Sequence, residues 1–218
     1  MHPLSLALQK GLDGLGLELS AEQQAQLLAY MDLIAKWTKV YNLTAVRDAN
    51  EMLTHHLLDS LAVVAPLRRE LAKLELPPSQ DRLSLLDVGA GAGLPGVVIA
   101  ITCPEVSVTC VDTVAKKAAF IQQVAATLRL PNLKGLHARV ETLMQPYDVV
   151  CSRAFASLVD FTTWSQSALA EHGVWMAMKG KHPDQELSVL PQNVKVFHVE
   201  QLLVPGLEAE RCIIWMRG

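Results

Sequence analysis

Residues 83–96 of the chain read LSLLDVGAGAGLPG, and this stretch decides the fold class. A short apolar run ends at Val88, four glycines follow it, and a helix pattern begins after them. Glycines at such a junction let the backbone turn sharply and let a ligand approach it closely. In an open parallel sheet, ligands bind beyond the carboxyl ends of the strands. The stretch therefore predicts a strand of an α/β sheet with a ligand site at its carboxyl end.

The rest of the chain after this stretch alternates between strand and helix patterns. The predicted strands are 83–88, 106–111, 133–138, 147–151, 174–178, 194–199 and 212–216, and further predicted helices are 113–128 and 158–169. This alternation predicts a parallel sheet with right-handed crossovers, whereas the last two strands, which a loop joins, predict an antiparallel hairpin. The combination resembles the seven-stranded, Rossmann-like α/β sheet of class I methyltransferases.

The first 65 residues carry helix patterns and no strand pattern. Ser20 and Gln23 are spaced as a capping box at the start of one helix. Its apolar stripe is Leu27, Met31, Ile34, Trp37 and Tyr41. Shorter helices are predicted at 4–12 and 50–64, and segment 66–82 is predicted as a helix remnant and a linker, because Pro77 and Pro78 break it. We therefore expect an N-terminal helical cap of residues 1–65 on an α/β domain of residues 66–218.

Composition limits the possible classes of protein. The gaps between the four cysteines match neither a zinc pair nor a redox pair, so reduced thiols and no metal are expected. No apolar run is long enough to span a bilayer, and the N-terminus lacks a leader pattern, so we expect a soluble, cytoplasmic protein. The net charge of −3 argues against a binder of naked nucleic acid unless the cations gather on one face.

Three interpretations of the glycine stretch are open. The first is a turn without a ligand. The second is dinucleotide binding, because Gly91 to Gly96 spells G-x-G-x-x-G and Asp112 follows at about the required distance of 20 residues. The third is binding of S-adenosylmethionine, for which the pattern is acid-x-G-x-G-x-G, with glycines at Gly89, Gly91 and Gly93. We favour the third interpretation, because Asp87, two residues before the first of these glycines, fits it alone.

Two carboxylates are candidates for binding this methyl donor. Asp112, at the end of the second strand, can accept two hydrogen bonds from the ribose diol, and charged acceptors make the stronger kind of bond. Asp87 can orient the loop or the amino-acid end of the donor. The alternative for Asp87 is a cap on the following helix.

Six segments are specific in their order and spacing, although each alone is weak. They are WTKVYNLT (37–44), HLLDS (56–60), DVGAGAGLPG (87–96), SRAFA (152–156), KG (179–180) and ER (210–211). Together they resemble the glucose-inhibited-division-B family of bacterial small-subunit ribosomal RNA guanine-N7 methyltransferases, and the similarity covers nearly the whole chain. The resemblance implies transfer of a methyl group from S-adenosylmethionine, with S-adenosylhomocysteine as product. The implied acceptor is N7 of the guanine at position 527, in the usual numbering of 16S ribosomal RNA.

The resemblance also implies roles for single residues. Gly89 and Leu94 are implied to contact the donor, Arg153 to line its site, and the pair Val140 and Glu141 to lie beside its adenine. The polar positions that are implied to line the cleft or to meet the RNA are Asn42, His56, Lys179 and Arg211.

Cations near the predicted carboxyl edge of the sheet are expected to form a basic rim. Arg153 and Lys179 follow successive strands, so both are expected in the cleft. If the helical part covers the same edge, it adds Arg47, Lys36 and Lys39. Such a rim would bind phosphates of ribosomal RNA or of the small subunit despite the net charge. Lys181 and His182 follow Lys179 closely in the chain, and a solvated surface position is the alternative for Lys36, Lys39 and Lys181.

Several other side chains have both a structural and a functional interpretation. His56 and Asp59, three residues apart on one predicted helix, are expected to pair with each other. Trp37 is expected in the core, whereas Tyr41 and Phe155 are candidates for stacking on bases. Core positions are expected for the remaining tryptophans, which are Trp164, Trp175 and Trp215.

No residue is predicted as a general base, and methylation of guanine at N7 needs none, because N7 has a lone pair and no proton to lose. Arg153 and Lys179 are then expected to position the acceptor. Two other classes stay open: a methyltransferase for a small molecule or a protein, and an oxidoreductase of the NAD type. Titration with both cofactors separates the second of these from the favoured interpretation.

Overall fold

The computed structural model describes residues 2–74 and 80–218 and contains all seven predicted strands. The strands are β1 (Ser84–Val88), β2 (Ser107–Asp112), β3 (Leu133–His137), β4 (Tyr147–Arg153), β5 (Leu169–Lys179), β6 (Lys195–Leu202) and β7 (Arg211–Arg217). The α-helices are α1 (Ser5–Leu15), α2 (Ala21–Tyr41), α3 (Ala49–Met52), α4 (Asp59–Leu61), α5 (Val64–Leu71), α6 (Gly96–Thr102), α7 (Ala115–Thr127), α8 (Leu158–Ser165) and α9 (Asp184–Ser188). A π-helix, Leu53–Leu58, lies between α3 and α4, and two 3₁₀ turns are Val140–Thr142 and Gln166–Ala168.

The strands form one sheet in the order β3-β2-β1-β4-β5-β7-β6. The first five strands run parallel, and β7 is antiparallel to both β5 and β6. The predicted parallel sheet and the terminal hairpin are therefore both confirmed. The strand order reverses at β1 and β4, and such a reversal is the point where open α/β sheets bind ligands beyond the carboxyl ends.

Helices cover both faces of the sheet, so the central strands are buried throughout. Side chains alternate along β1: Leu85 belongs to one hydrophobic cluster, and its neighbour Leu86 to the cluster on the other face. The first cluster includes residues of α1 to α7, and the second includes residues of α8. Asp87 follows the same alternation and therefore points to the face of Leu85, where α6 lies.

The N-terminal helices pack on the first face through α2. Its start is the predicted capping box, with the Gln23 backbone N–H donating to Ser20 Oγ at 3.1 Å and the Ser20 N–H donating to Gln23 Oε1 at 3.0 Å. The Gln23 amide also donates to the carbonyl of Ile101 in α6 at 3.0 Å. Farther along, the Tyr30 hydroxyl donates to the carbonyl of Ala92 in the glycine stretch at 2.6 Å. The helix α2 thus contacts both the glycine stretch and the helix that follows it.

The predicted helix at 50–64 is divided into α3, the π-helix and α4, and α5 begins at Val64. A π-helical segment inside α-helical structure is rare. Where one occurs, it often lies at a functional site. The helix α5 runs across the predicted boundary between residues 65 and 66, and both parts of the chain contribute to one hydrophobic cluster. The division into a cap and an α/β domain stays a prediction. Pro77 and Pro78 of the predicted linker lie outside the described residues.

The aromatic predictions were partly wrong. Trp175 and Trp215 are buried as predicted, but Trp164 is 39% exposed. Tyr41, at the end of the apolar stripe of α2, is 44% exposed, with the Lys116 ammonium 5.3 Å from its ring centroid. Trp37 is half-buried against Phe120, at 5.2 Å between ring centroids, so its packing role is confirmed.

Three further findings concern the composition. All four cysteines are buried, free thiols. Among the described residues, none of the helices is long and apolar enough to cross a membrane. Within the same residues, His, Cys, Asp and Glu form no group of three or more that is arranged to hold a metal ion.

The helix α9 was not predicted, because none of its residues is buried and it has no apolar stripe.

Candidate active site

The glycine stretch forms a loop that connects β1 to α6 and is tied to the end of β2. The backbone N–H groups of Gly89 and Ala90 donate to the carbonyl of Val111 at 2.9 Å and 3.2 Å. Gly89 has a φ of +66° and Gly91 a φ of +60°, a region that residues with side chains rarely adopt. A Cβ on Gly91 would have no other group closer than 3.9 Å, so the space over this glycine is open. The loop therefore presents bare backbone to the outside.

Two cavities meet at this loop and share Gly89 and Ala154 in their walls. We call the first, of about 710 Å³, the arginine cavity, because Arg153 and Arg211 line it together with Leu94, His56, Asp59 and Lys179. The second, of about 830 Å³, is the Asp112 cavity, whose walls also include Lys117, Val140, Glu141 and Phe155. Both lie at the carboxyl edge of the sheet, where the sequence predicted the ligand site.

Asp112 lies at the end of β2 and holds two loops with its carboxylate. Its Oδ2 accepts a hydrogen bond from the Gly91 N–H at 3.0 Å, and its Oδ1 accepts one from the Val114 N–H at 2.8 Å. The Lys117 ammonium lies 3.7 Å from Oδ2. Each carboxylate oxygen has two lone pairs, so both retain the capacity to accept from a ligand. The structure thus places Asp112 beside a cavity and adds a role in holding the glycine loop.

Asp87 lines neither cavity, and its contact with the donor stays a prediction. Its side chain is fully buried, and Oδ2 accepts a hydrogen bond from the N–H of Gly96, the first residue of α6, at 2.8 Å. The N-terminus of a helix has unpaired N–H groups that such a carboxylate satisfies. These contacts support the capping alternative. Asp87 fixes the end of the loop where α6 begins.

Burial raises the pKa of Asp87 to about 7, although the Gly96 N–H and the charge of Arg153 both lower it. The folded protein thus keeps this proton to about neutral pH, whereas the unfolded chain releases it near the ordinary value of 3.8. The folded state binds more protons between these values, so stability falls as pH rises through this range and levels off above it.

We expect Asp87→Asn to remove this pH dependence, because asparagine keeps an oxygen for the Gly96 N–H and has no proton to release. At about 1.4 kcal/mol for each pKa unit, the difference is on the order of a few kcal/mol. Urea unfolding at pH 5, 6, 7 and 8 measures it: the free energy of unfolding of the wild type should fall relative to that of the variant. Parallel curves for the two proteins across this range would contradict the assignment.

The remaining predicted donor contacts differ in position. Leu94 lines the arginine cavity, and Val140 and Glu141 line the Asp112 cavity. Gly93 lines neither cavity, and its contact with the donor stays a prediction. A Cβ on Gly93 would lie 2.4 Å from Cγ2 of Val97, and its φ is +90°. Gly93 therefore lets the backbone enter α6 without a clash.

Phe155 lies at the junction of the cavities and was a candidate for stacking on bases. A Cβ on Gly89 would lie 2.4 Å from Cδ2 of Phe155, so the ring packs directly on the loop. Its centroid is also 5.8 Å from that of Trp164 and 6.5 Å from that of Phe161, in edge-on geometry. Phe155 is thus a wall of the Asp112 cavity, and its stacking on bases stays a prediction.

The arginine cavity contains the ion pairs that the sequence did not predict. Arg153 Nη1 donates to Oδ2 of Asp59 at 2.9 Å, and Arg211 Nε donates to Oδ1 of the same carboxylate at 2.7 Å. The predicted pairing of His56 with Asp59 is wrong. His56 Nε2 lies 2.5 Å from Oγ1 of Thr44 instead, because Asp59 points toward the strand ends.

Burial lowers the pKa of His56, and the charge of Arg153 lowers it further, which favours the neutral imidazole at neutral pH. One of its nitrogens is held by Thr44, and the other, Nδ1, is buried without a hydrogen-bond partner among the described residues. His56 lines the arginine cavity, as predicted for a cleft residue.

The basic rim is only partly formed as predicted. Lys179 ends β5 and lines the arginine cavity, but its ammonium contacts both carboxylate oxygens of Glu186, at 2.8 Å and 3.0 Å. Asn42 and Arg47 line neither cavity: both are exposed, and Arg47 Nη2 donates to Oδ1 of Asn42 at 2.7 Å. The nearby residues Thr44 and Val46 do line the arginine cavity, so the segment after α2 reaches the predicted edge.

Asp59 and Glu186 are two charged residues at this site whose contacts the sequence did not predict. Asp59 had been paired with His56 because both lie on one helix. Its actual partners are 94 and 152 residues away in the chain, and no local spacing indicates them. Glu186 belongs to α9, whose pattern gave no sign of a helix.

The site fits S-adenosylmethionine on three observations. Space over Gly91 is open, a carboxylate stands at the end of β2, and two cavities that share one wall offer room for a long ligand with two different ends. A ribose diol needs hydrogen-bond acceptors, which Asp112 supplies.

Comparison with known sequences identifies the family. The model of the family described as rRNA small subunit methyltransferase G matches residues 23–214. The chain is 70% identical over 210 residues to the ribosomal RNA small subunit methyltransferase G of a Polaromonas species, with 96% of this chain and 92% of the relative covered. It is 66% identical over 214 residues to the protein of the same name in Polaromonas naphthalenivorans, with coverage of 98% and 96%.

Comparison with solved structures supports the fold alone. TrmN from Thermus thermophilus superimposes with a TM-score of 0.55 at 15% identity, over 76% of this chain and 53% of that protein. A SAM dependent methyltransferase from Aquifex aeolicus gives 0.52 at 14% identity, over 72% of this chain and 92% of that one. The predicted methyltransferase-type sheet is thus confirmed, and the chain belongs to the rRNA small subunit methyltransferase G family.

Proposed function

We propose that the protein transfers a methyl group from S-adenosylmethionine to N7 of one guanine in 16S ribosomal RNA, the guanine at position 527 in the usual numbering. Its relatives carry the name of small-subunit ribosomal RNA methyltransferases. The observation that carries the proposal is the meeting of two cavities at Gly89 and Ala154, one walled by a carboxylate and the other by two arginines. The product is S-adenosylhomocysteine.

The Asp112 cavity is proposed for the adenosine end of the donor. The Asp112 carboxylate would accept hydrogen bonds from the ribose hydroxyls while it keeps its bonds to the Gly91 and Val114 N–H groups. Val140 and Glu141 would lie beside the adenine, and Lys117 is in the same wall. When bound, S-adenosylmethionine supplies a methyl group on a positively charged sulfonium.

The arginine cavity is proposed for the acceptor and for the adjoining RNA. Guanine N7 has a lone pair and no proton to lose, so the residues of this cavity need to orient the base and not to deprotonate it. Arg153 and Lys179 would orient the acceptor, and holding reactants in line can supply about 7 to 11 kcal/mol. His56, whose nitrogens are buried or held by Thr44, is not needed as a base.

The acceptor atom can be tested by strand cleavage. Small subunits from a strain that lacks this protein would be treated with the purified enzyme and the donor, then with mild reductant and aniline. Methylation at N7 makes the glycosidic bond labile, so we expect one enzyme-dependent cut at the proposed guanine. The chemical step should also be nearly independent of pH around neutrality, because no acid–base pair takes part. Methyl incorporation without a cut would show that another atom is the acceptor and would overturn the proposal.

Lys179 provides a test of the RNA side. We expect Lys179→Ala to weaken the use of RNA roughly tenfold, or about 1.4 kcal/mol, and to leave donor affinity nearly unchanged. The variant loses a cation and also leaves the Glu186 carboxylate without its ammonium partner, so the net positive charge that faces the phosphates falls. Lys181→Ala is the matched control, since this lysine is exposed and lines neither cavity. Steady-state kinetics with RNA and calorimetry with S-adenosylhomocysteine measure the two effects, and equal effects of both variants would contradict the role of Lys179.

Two further properties are proposed on the same basis. The substrate is ribosomal RNA or the assembled small subunit, because the relatives are named for that RNA. A ribosomal substrate places the activity in the cytoplasm. Methylation assays with deproteinised RNA and with subunits, run in parallel, distinguish the two forms of the substrate.

A further inference from the structure

A buried carboxylate joins two arginines in the wall of the arginine cavity. Asp59 is only 3% exposed, and its two oxygens accept from Arg153 Nη1 at 2.9 Å and from Arg211 Nε at 2.7 Å. Asp59 begins α4, Arg153 ends β4 and Arg211 begins β7. One carboxylate therefore sets the positions of two guanidiniums that come from distant parts of the chain.

The cluster carries two positive charges and one negative charge, so its net charge is +1. Both arginines are partly exposed to the cavity, at 19% and 24% of their side chains. The described residues accept hydrogen bonds from three of the six guanidinium nitrogens: Arg153 Nη1 contacts Asp59 and the His55 carbonyl, and Arg211 Nε and Nη1 contact Asp59 and the Glu210 carbonyl. Each guanidinium has five N–H donors, so several are left for an anionic ligand.

We propose that Asp59 is a positioning residue that holds Arg153 and Arg211 in the wall of the arginine cavity and keeps the cluster at a single positive charge. Arg153 is the arginine next to the donor, because its chain neighbour Ala154 lies in the wall that both cavities share. The proposal rests on the proposed function, because it assumes an RNA substrate. Two guanidiniums in a partly buried wall repel each other, and the carboxylate between them offsets this repulsion. Without it, each arginine would turn toward solvent, and neither would keep the geometry that the transfer requires.

Asp59→Asn separates positioning from a merely structural role. We expect it to lower kcat but to keep or increase the affinity for RNA at low salt. The amide keeps one oxygen but presents an N–H group to the other guanidinium, so one arginine is released while the cluster rises to +2. We expect kcat to fall about 100-fold, as small misplacements do. Affinity for S-adenosylhomocysteine should fall roughly tenfold if Arg153 is the residue released.

RNA binding by the same variant should respond differently. At low salt it should be as tight as in the wild type or tighter, and its dependence on salt should be steeper by roughly 0.7 to 0.9 in the logarithmic slope, since one more cation faces the phosphates. Binding is measured with deproteinised 16S ribosomal RNA over a salt series, and kcat with small subunits and labelled donor.

Two variants serve as controls. Asp59→Glu keeps the charge, so we expect it to restore the salt slope and to recover part of kcat. Asp32→Asn changes the net charge of the protein equally, but this residue lies on α2, is 69% exposed and lines neither cavity. It should leave kcat and the salt slope unchanged.

Unchanged kcat and donor affinity in a folded Asp59→Asn protein would overturn the proposal, and so would a loss of kcat without any change in the salt slope. If this variant does not fold, the double variant Asp59→Asn with Arg211→Gln restores the net charge of +1. Its affinity for S-adenosylhomocysteine should be roughly tenfold lower than that of Arg211→Gln alone, because Arg153 exchanges a charged acceptor for the neutral oxygen of the amide. Equal affinities would overturn the proposal. Failure of the wild type to methylate RNA would instead remove the proposed function.

Discussion

Gly89→Val is expected to abolish binding of S-adenosylmethionine and of S-adenosylhomocysteine, with a loss of more than about 100-fold, or about 2.7 kcal/mol. Gly89 lies in the wall that both cavities share, and its φ of +66° is unfavourable for a β-branched residue. A Cβ there would lie 2.4 Å from the ring of Phe155, so the loop or the ring must move. Either movement disturbs the surface on which the donor is proposed to lie. Calorimetry with S-adenosylhomocysteine measures the effect directly.

Gly16→Val is the matched control for this experiment. Gly16 ends α1 with a φ of +63°, nearly that of Gly89, and a Cβ there would meet nothing within 4 Å. The control therefore imposes the same backbone strain, of order 1 to 3 kcal/mol, without a collision near the cavities. We expect it to lower the melting temperature and to bind the donor normally. Unchanged affinity in a folded Gly89→Val protein would remove the loop from the donor site.

Asp112→Asn is expected to lower donor affinity about 100-fold, or about 2.7 kcal/mol. One hydrogen bond to a charged group contributes about 1.5 to 3 kcal/mol, and the substitution removes one such bond to the ribose and leaves the other with an uncharged acceptor. Both oxygens of Asp112 accept from backbone, one from Gly91 and one from Val114. Asparagine can keep only one of these bonds, because its amide nitrogen would face a second N–H donor. The substitution thus loosens the glycine loop and also removes an acceptor for the ribose hydroxyls.

The two effects of Asp112→Asn can be separated with an analogue that lacks the ribose hydroxyls. If the carboxylate binds the diol, the wild type should bind this analogue weakly and the variant should bind both ligands about equally. If the carboxylate acts only through the loop, the variant should lose the same factor for both ligands. Asp184→Asn, at a residue that lies in α9 and is 86% exposed, controls for the change in net charge. Normal donor affinity in Asp112→Asn would contradict both roles.

The sequence was sufficient for the fold because the relevant patterns are local. Short apolar runs that alternate with helical stripes specify a parallel sheet, and the glycine run after β1 marks the strand whose carboxyl end binds a ligand. The capping box at Ser20 also needs only four consecutive residues. Where a pattern was weak, the prediction failed: α9 has no buried residue, and the first part of β5 carries Glu171 and His172 in place of an apolar run.

The resemblance to the family indicated the edge of the sheet where both cavities lie, but the contacts of single residues needed the structure. Gly93 and Asp87 belong to the motif, yet neither lines a cavity: one lets the chain enter α6, and the other caps it. A sequence motif records which residue types are required and not which of them touches the ligand. Side chains of both kinds, those that bind and those that support, are required equally.

Local order along the chain thus determined the strands, most of the helices and the edge of the sheet at which the ligand site is predicted. Only the tertiary structure decided which charged side chains pair with each other at that edge. Asp59 joins Arg153 and Arg211 across 94 and 152 residues, and Lys179 meets Glu186 on an unpredicted helix. The physical reason is that hydrophobic periodicity is set by the nearest turns of the backbone, whereas an ion pair forms wherever the sheet order brings two side chains together. That order places the end of β4 and the start of β7 beside α4, where the Asp59 carboxylate holds both arginines.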